Sequence, residues 1–122
     1  MRTSMAMPLL KSGISKLTDF TKKGYKNMKL KDFKMKPTKM PKGYQALLGF
    51  GDSLELSIIQ NEMSYGSSNG LYEIAVFKGD GQVEMPGITE DGDTVKGFLT
   101  EDDVDSIIKK MHTISGAVPV QV

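Results

Sequence analysis

The spacing of hydrophobic positions changes along the chain, and each change predicts a different element. Toward the C-terminus Val104, Ile107, Ile108 and Met111 recur at i, i+3, i+4 and i+7, one apolar stripe on an otherwise charged segment. That period predicts an amphipathic helix over residues 98–114. Thr100, followed three residues later by Asp103, reads as a loose capping box, with Asp in place of Glu or Gln. Glu101, Asp102 and Asp103 fall in the first turn, and Lys109, Lys110 and His112 in the last, the order the helix dipole favours. Gly116 stands where a left-handed cap closes a helix. A helix of this length is marginal alone, so its stripe must be buried against the rest of the chain.

Upstream, the period shortens to two. Leu54, Leu56 and Ile58 alternate with Glu55, Ser57 and Ile59, a strand with one buried face. A loop over 61–70 precedes residues 71–77, LYEIAVF, which are apolar on both faces and so predict a central strand. Asp80-Gly81 is hairpin-turn chemistry returning a short strand through Val83 and Met85 to Pro86-Gly87. A second turn over 89–93 leads into a strand over 94–99, and 118–122 is a last extended piece. Residues 42–51 read as a glycine-loosened hinge carrying a small apolar anchor of Tyr44, Leu47, Leu48 and Phe50.

Before the hinge, the pattern is lysine interleaved with apolar residues. Lys22, Lys23, Lys26, Lys29, Lys31, Lys34, Lys36, Lys39 and Lys42 are separated by Tyr25, Met28, Leu30, Phe33, Met35 and Met40. Pro37 and Pro41 oppose a helix there, and the near-alternation over 28–36 suits an extended segment lying on a surface. Leu10, Ile14 and Leu17 have helical spacing, predicting a short helix near residues 9–20, weakened by Gly13.

Charge sharpens this division. Residues 1–50 hold twelve basic and two acidic side chains, a balance of +10, while residues 51–122 hold four and thirteen, a balance of −9. The near-neutral total of +1 hides both. Halves of opposite sign predict a basic arm, residues 1–50, on an acidic body, residues 51–122. The expected fold is α+β: a small antiparallel sheet of three to four strands with one C-terminal helix packed on it, preceded by an extended basic N-terminal arm. The body is expected to fold without the arm.

Candidate chemistry changes little. Cysteine is absent, excluding disulfides and thiolate metal sites, and no apolar run approaches the roughly 20 residues of a membrane-spanning helix. Residues 79–81 and 90–93 are acidic and glycine-containing but lack calcium-loop spacing. The stretch 65–70 lacks the Gly-Lys-Ser/Thr ending of a phosphate-binding loop. His112 is the only histidine, and Glu55, Glu62, Glu73 and Glu84 are scattered over predicted strands and loops. No catalytic, metal or cofactor site is therefore predicted, and the chain reads as non-enzymatic.

The function expected is structural. The arm, through the nine lysines with Tyr25, Met28, Leu30, Phe33 and Met35, docks on a larger protein or nucleoprotein assembly. Small accessory proteins of phage and viral particles, and ribosomal proteins, share this layout; the acidic body favours the particle setting, so the chain reads as cytoplasmic or virion-associated, with homo-oligomerisation open. The alternatives are a nonspecific nucleic-acid-binding regulator and a small inhibitor whose acidic body mimics nucleic acid. Lysine outnumbers arginine eleven to one in the arm, which opposes base-specific reading.

Overall fold

Strand pairing begins earlier in the chain than the hydrophobic pattern predicts. The structure is a computed structural model, and it describes residues 28–122. In chain order it holds strands β1 Lys36–Lys39, β2 Lys42–Phe50, β3 Leu54–Asn61, β4 Tyr72–Lys78, β5 Gly81–Val83 and β6 Val95–Leu99. Helix α1 Glu101–Ser115 and strand β7 Val120–Gln121 follow. The helix expected near residues 9–20, and Lys22, Lys23, Tyr25 and Lys26, lie outside the described residues.

All pairings are antiparallel, in the order β1-β2-β3-β4-β5, with β7 also on β2 and β6 also on β4. Each outer position of the sheet is thus shared by two short strands. On one side β1 pairs with residues 42–45 of β2 and β7 with Leu48 and Gly49. On the other, β5 pairs with residues 76–78 of β4 and β6 with its first half.

The sheet has seven strands, not three to four: β1 and β2 stand where the pattern reads as arm and hinge, and the extended piece at the C-terminus joins the sheet as β7. The hinge reading of 42–51 is corrected by the period-two burial of Ala46, Leu48 and Phe50, which the glycines obscure. Gly43 is no loosener: a Cβ there would collide with the backbone of Asn61 on β3, so glycine permits close strand approach. Residue 50, where the charge balance changes sign, falls at the β2–β3 turn, inside one hairpin.

One face of the sheet presents Ala46, Leu48, Leu56, Ile58, Ile74 and Val76, all fully buried. Against them α1 lays Val104, Ile107, Ile108 and Met111, the stripe read from the sequence. The cap also forms as read: Asp103 N–H donates to Thr100 Oγ1 at 3.1 Å and Thr100 N–H to Asp103 Oδ2 at 3.0 Å. Gly116, at φ 69°, closes the far end. The helix starts at Glu101, three residues later than expected, because Phe98 and Leu99 finish β6.

Residues 28–35 fold onto this core. Leu30 begins a 3-10 turn, is 4% exposed, and donates its N–H to Asp105 Oδ1 of α1 at 2.8 Å. Phe33 and Met35 pack against the same cluster. Gln121 of β7 accepts from Lys34 N–H at 2.8 Å and donates to Lys34 O at 2.6 Å, tying both ends of the described chain together.

Two outcomes follow. Because β2 is central and Leu30 buried, a fragment of residues 51–122 should show no cooperative thermal transition. Leu30→Ala in the full chain should cost about 2–5 kcal/mol in urea unfolding. A cooperative fragment, or a Leu30 change below about 0.5 kcal/mol, would contradict this packing. The second concerns Asp103. Hydrogen bonds from Thr100, backbone first and side chain second, hold its carboxyl below the ordinary aspartate range. A depressed carboxylate contributes stability above its unfolded pKa, and that contribution is lost as pH falls through the folded value. Wild type should therefore lose more stability than Asp103→Asn, which has no carboxyl to protonate, between about pH 5 and pH 2. Parallel stability curves for the two proteins would remove the capping account.

Candidate functional site

The segment from Lys29 to Lys42 sorts its side chains by chemistry. Leu30 turns into the core, and Phe33 and Met35 pack against it; Met28 is half-buried. Lys29, Lys31, Lys34, Lys36, Lys39 and Lys42 are all exposed. The near-alternation expected to face a partner's groove is thus answered within the chain: the apolar half meets its own core, and the lysines face out. Of the fourteen residues expected to bind, ten are described, and these six lysines are the ones left at the surface.

The lysines run along one side of the sheet, from the 3-10 turn beside α1 through β1 to the start of β2. None forms an ion pair with a carboxylate among the described residues. Lys36 Nζ lies 3.4 Å from Val122 O, a long contact. Lys39 stands directly opposite Lys42 in the β1–β2 register, an arrangement that like charges make unfavourable. Lysines on an edge strand also guard against stray strand pairing. That explains Lys36 and Lys39, but not Lys29 and Lys31, which lie off any strand.

The carboxylates have other work. Glu62 accepts from Lys42 N–H at 3.3 Å, Glu73 from Tyr65 N–H at 2.9 Å, and Glu84 from Gly92 N–H at 2.8 Å. Each ties a loop or turn to its neighbour. His112 Nδ1 lies 2.8 Å from Ala117 O, fastening the end of α1. Gly79, at φ 62°, and Asp80 make the β4–β5 turn, since Lys78 pairs with Gly81; the turn sits one residue earlier than the Asp80-Gly81 read from the sequence. Among the described residues no three His, Asp or Glu side chains gather as a metal site, and no described helix is long and apolar enough to cross a membrane.

Two clefts remain. The sheet face opposite α1 holds one of about 430 Å³, floored by Gln45, Ser57, Ile59, Ala75 and Phe77, with Met40 and Met63 at its margin. Gln45 Nε2 donates to Ser57 Oγ at 3.0 Å across its floor. The other, about 420 Å³, runs between the outer side of α1 and Pro86–Ile88, where Lys110 Nζ donates to Gly87 O at 3.2 Å. Neither brings a nucleophile and a base together.

One surface feature has no counterpart in the sequence reading. Tyr65 and Phe98 stack with ring centroids 6.0 Å apart and an interplanar angle of 20°, both exposed. Phe98 sits at φ 58°, the one described non-glycine residue with positive φ. The available clue was Gly97, where a Cβ would collide with the Tyr65 side chain, and Gly66, where one would press on Phe98. Glycines flanking an aromatic marked a close approach, but the helix pattern claimed Phe98 first.

The chain matches no family model, no curated protein and no solved structure.

Proposed function

We propose that this chain is a non-enzymatic assembly protein that attaches to a larger protein or nucleoprotein assembly through its lysine-rich surface. The observation that carries the reading is the lysine stripe of residues 29–42. Six exposed ammonium groups lie along one side without carboxylate partners, while the intervening apolar side chains hold that segment on the body. A fixed array of like charge raises the free energy of the isolated protein and lowers it against an anionic surface. In sequence, residues 1–27 add six basic residues and one acidic residue. The partner surface is therefore anionic, and attachment is confined to one side because residues 51–122 carry a balance of −9.

The same sorting of side chains favours one second reading. With Leu30, Phe33 and Met35 turned inward, the stripe offers charge and little apolar contact, which is also what nonspecific nucleic-acid binding requires. Replacing the apolar residues by serine cannot separate the two readings, since those changes would disrupt the core.

The test uses lysines away from the β1–β2 turn. Lys29→Gln, Lys31→Gln, Lys34→Gln and Lys36→Gln together should leave the thermal transition in place and reduce co-sedimentation with the assemblies of the protein's source about tenfold or more. Wild-type retention by the quadruple variant would sink the proposal. Binding of the wild type to random-sequence duplex DNA should be weak. A steep salt dependence on that DNA between about 50 and 200 mM salt, reduced by a slope of about 4 in the variant, would install the nucleic-acid reading instead.

A further inference from the structure

The end of the sheet where β2 begins and β3 ends carries most of the exposed apolar bulk of the described protein. Three connections meet there: the β1–β2 turn, the β3–β4 connection and the β6–α1 junction. Five of the eight exposed large apolar side chains lie in or beside them: Met40, Tyr44, Met63, Tyr65 and Phe98. Their exposures run from 50% for Tyr44 to 89% for Met40. Single exposed apolar residues are ordinary, but a gathering of five at one end marks a surface that meets something.

The stacked pair is held outward by the backbone. Phe98 occupies the left-handed region, which its Cβ makes unfavourable, and its N–H donates to Tyr65 O at 3.3 Å. Strain of this kind is kept where the surroundings over-determine it, and it clusters at functional places. Here it displays a ring instead of burying one.

Charge identifies the occupant. The strand order puts the β1–β2 turn at one corner, where exposed Lys39 and Lys42 outnumber Glu62, and the β6–α1 junction at the other, with exposed Glu101 and Asp102. The β3–β4 connection, carrying Met63 and Tyr65, lies between them. A partner of single charge sign would be repelled at one corner. A second copy, turned by a two-fold axis through the apolar centre, sets each lysine corner against the other copy's carboxylate corner.

We propose that this end of the sheet is a self-association surface, and that its occupant is the same end of a second copy in a closed two-fold dimer. The rings and methionines form the desolvated centre, and the two charge pairings form the rim and fix the register. The dimer goes beyond the attachment role and uses two of the six stripe lysines, leaving Lys29, Lys31, Lys34 and Lys36 for it.

Sedimentation velocity of the full chain over a dilution series tests this. The wild type should show a species of twice the chain mass at high concentration, dissociating on dilution, with nothing larger. Phe98→Gly suits the backbone and removes the ring, so it should fold yet weaken the dimer about tenfold or more. Lys39→Glu with Lys42→Glu, and separately Glu101→Lys with Asp102→Lys, should each give monomer. An equimolar mixture of these two variants should recover the dimer, because each supplies the corner the other lacks. A wild type that is monomeric throughout, growth beyond the dimer, or a dimer indifferent to Phe98→Gly would overturn the proposal. Should a charge variant fail its thermal-transition control, the wild type and Phe98→Gly decide alone.

Discussion

The pairing of β2 with three other strands is the constraint on which the rest of the fold depends. Along one edge β3 matches it over eight register positions; along the other, β1 and β7 divide it between them. Its inward residues, Ala46, Leu48 and Phe50, belong to the floor on which α1 lies. A strand buried on one face and hydrogen-bonded on both edges cannot be removed without exposing core and freeing backbone groups. Strands from early and late in the chain meet on it, and the Lys34–Gln121 hydrogen bonds close the loop.

That arrangement changes the meaning of the basic segment. A lysine-rich stretch with too few apolar groups to order itself gains order from the body's core, through Leu30, Phe33 and Met35. Its lysines are then held along a side of the molecule instead of trailing from it. Concentrating six like charges beside one another, with Lys39 opposite Lys42, opposes folding. The apolar anchors and the Leu30–Asp105 hydrogen bond offset that repulsion. The electrostatic surface and the stability of the sheet are therefore coupled through one short segment, since the residues that anchor it lie between those that face outward.

How far the sequence was legible can be traced residue by residue. The helix was legible because four apolar residues at 3.6-residue spacing, a reciprocal cap and a terminal glycine agree with one another. Central β4 was legible from its apolar, β-branched run. β2 was not, because Gly43, Gly49 and Gly51 carry breaker chemistry, although Gly43 sits there for close packing on Asn61. β1, KPTK, has no hydrophobic period at all and exists through its register with β2. Net charge drew the boundary at residue 50 where it tracks surface, while burial ignores it. The Tyr65–Phe98 pair depends on a left-handed phenylalanine, for which residue type offers no warning.

The central claim is that the lysine-rich segment from residue 28 belongs to the same cooperative unit as the sheet. Native-state hydrogen exchange of the full chain reads this directly, amide by amide. The Leu30 amide, bonded to Asp105, and the Ala46 and Leu48 amides of β2 should open with the same free energy and denaturant dependence as Ile58 on β3. A Leu30 amide exchanging like free chain while Ile58 stays protected would show that the segment is an arm resting on a body that folds without it.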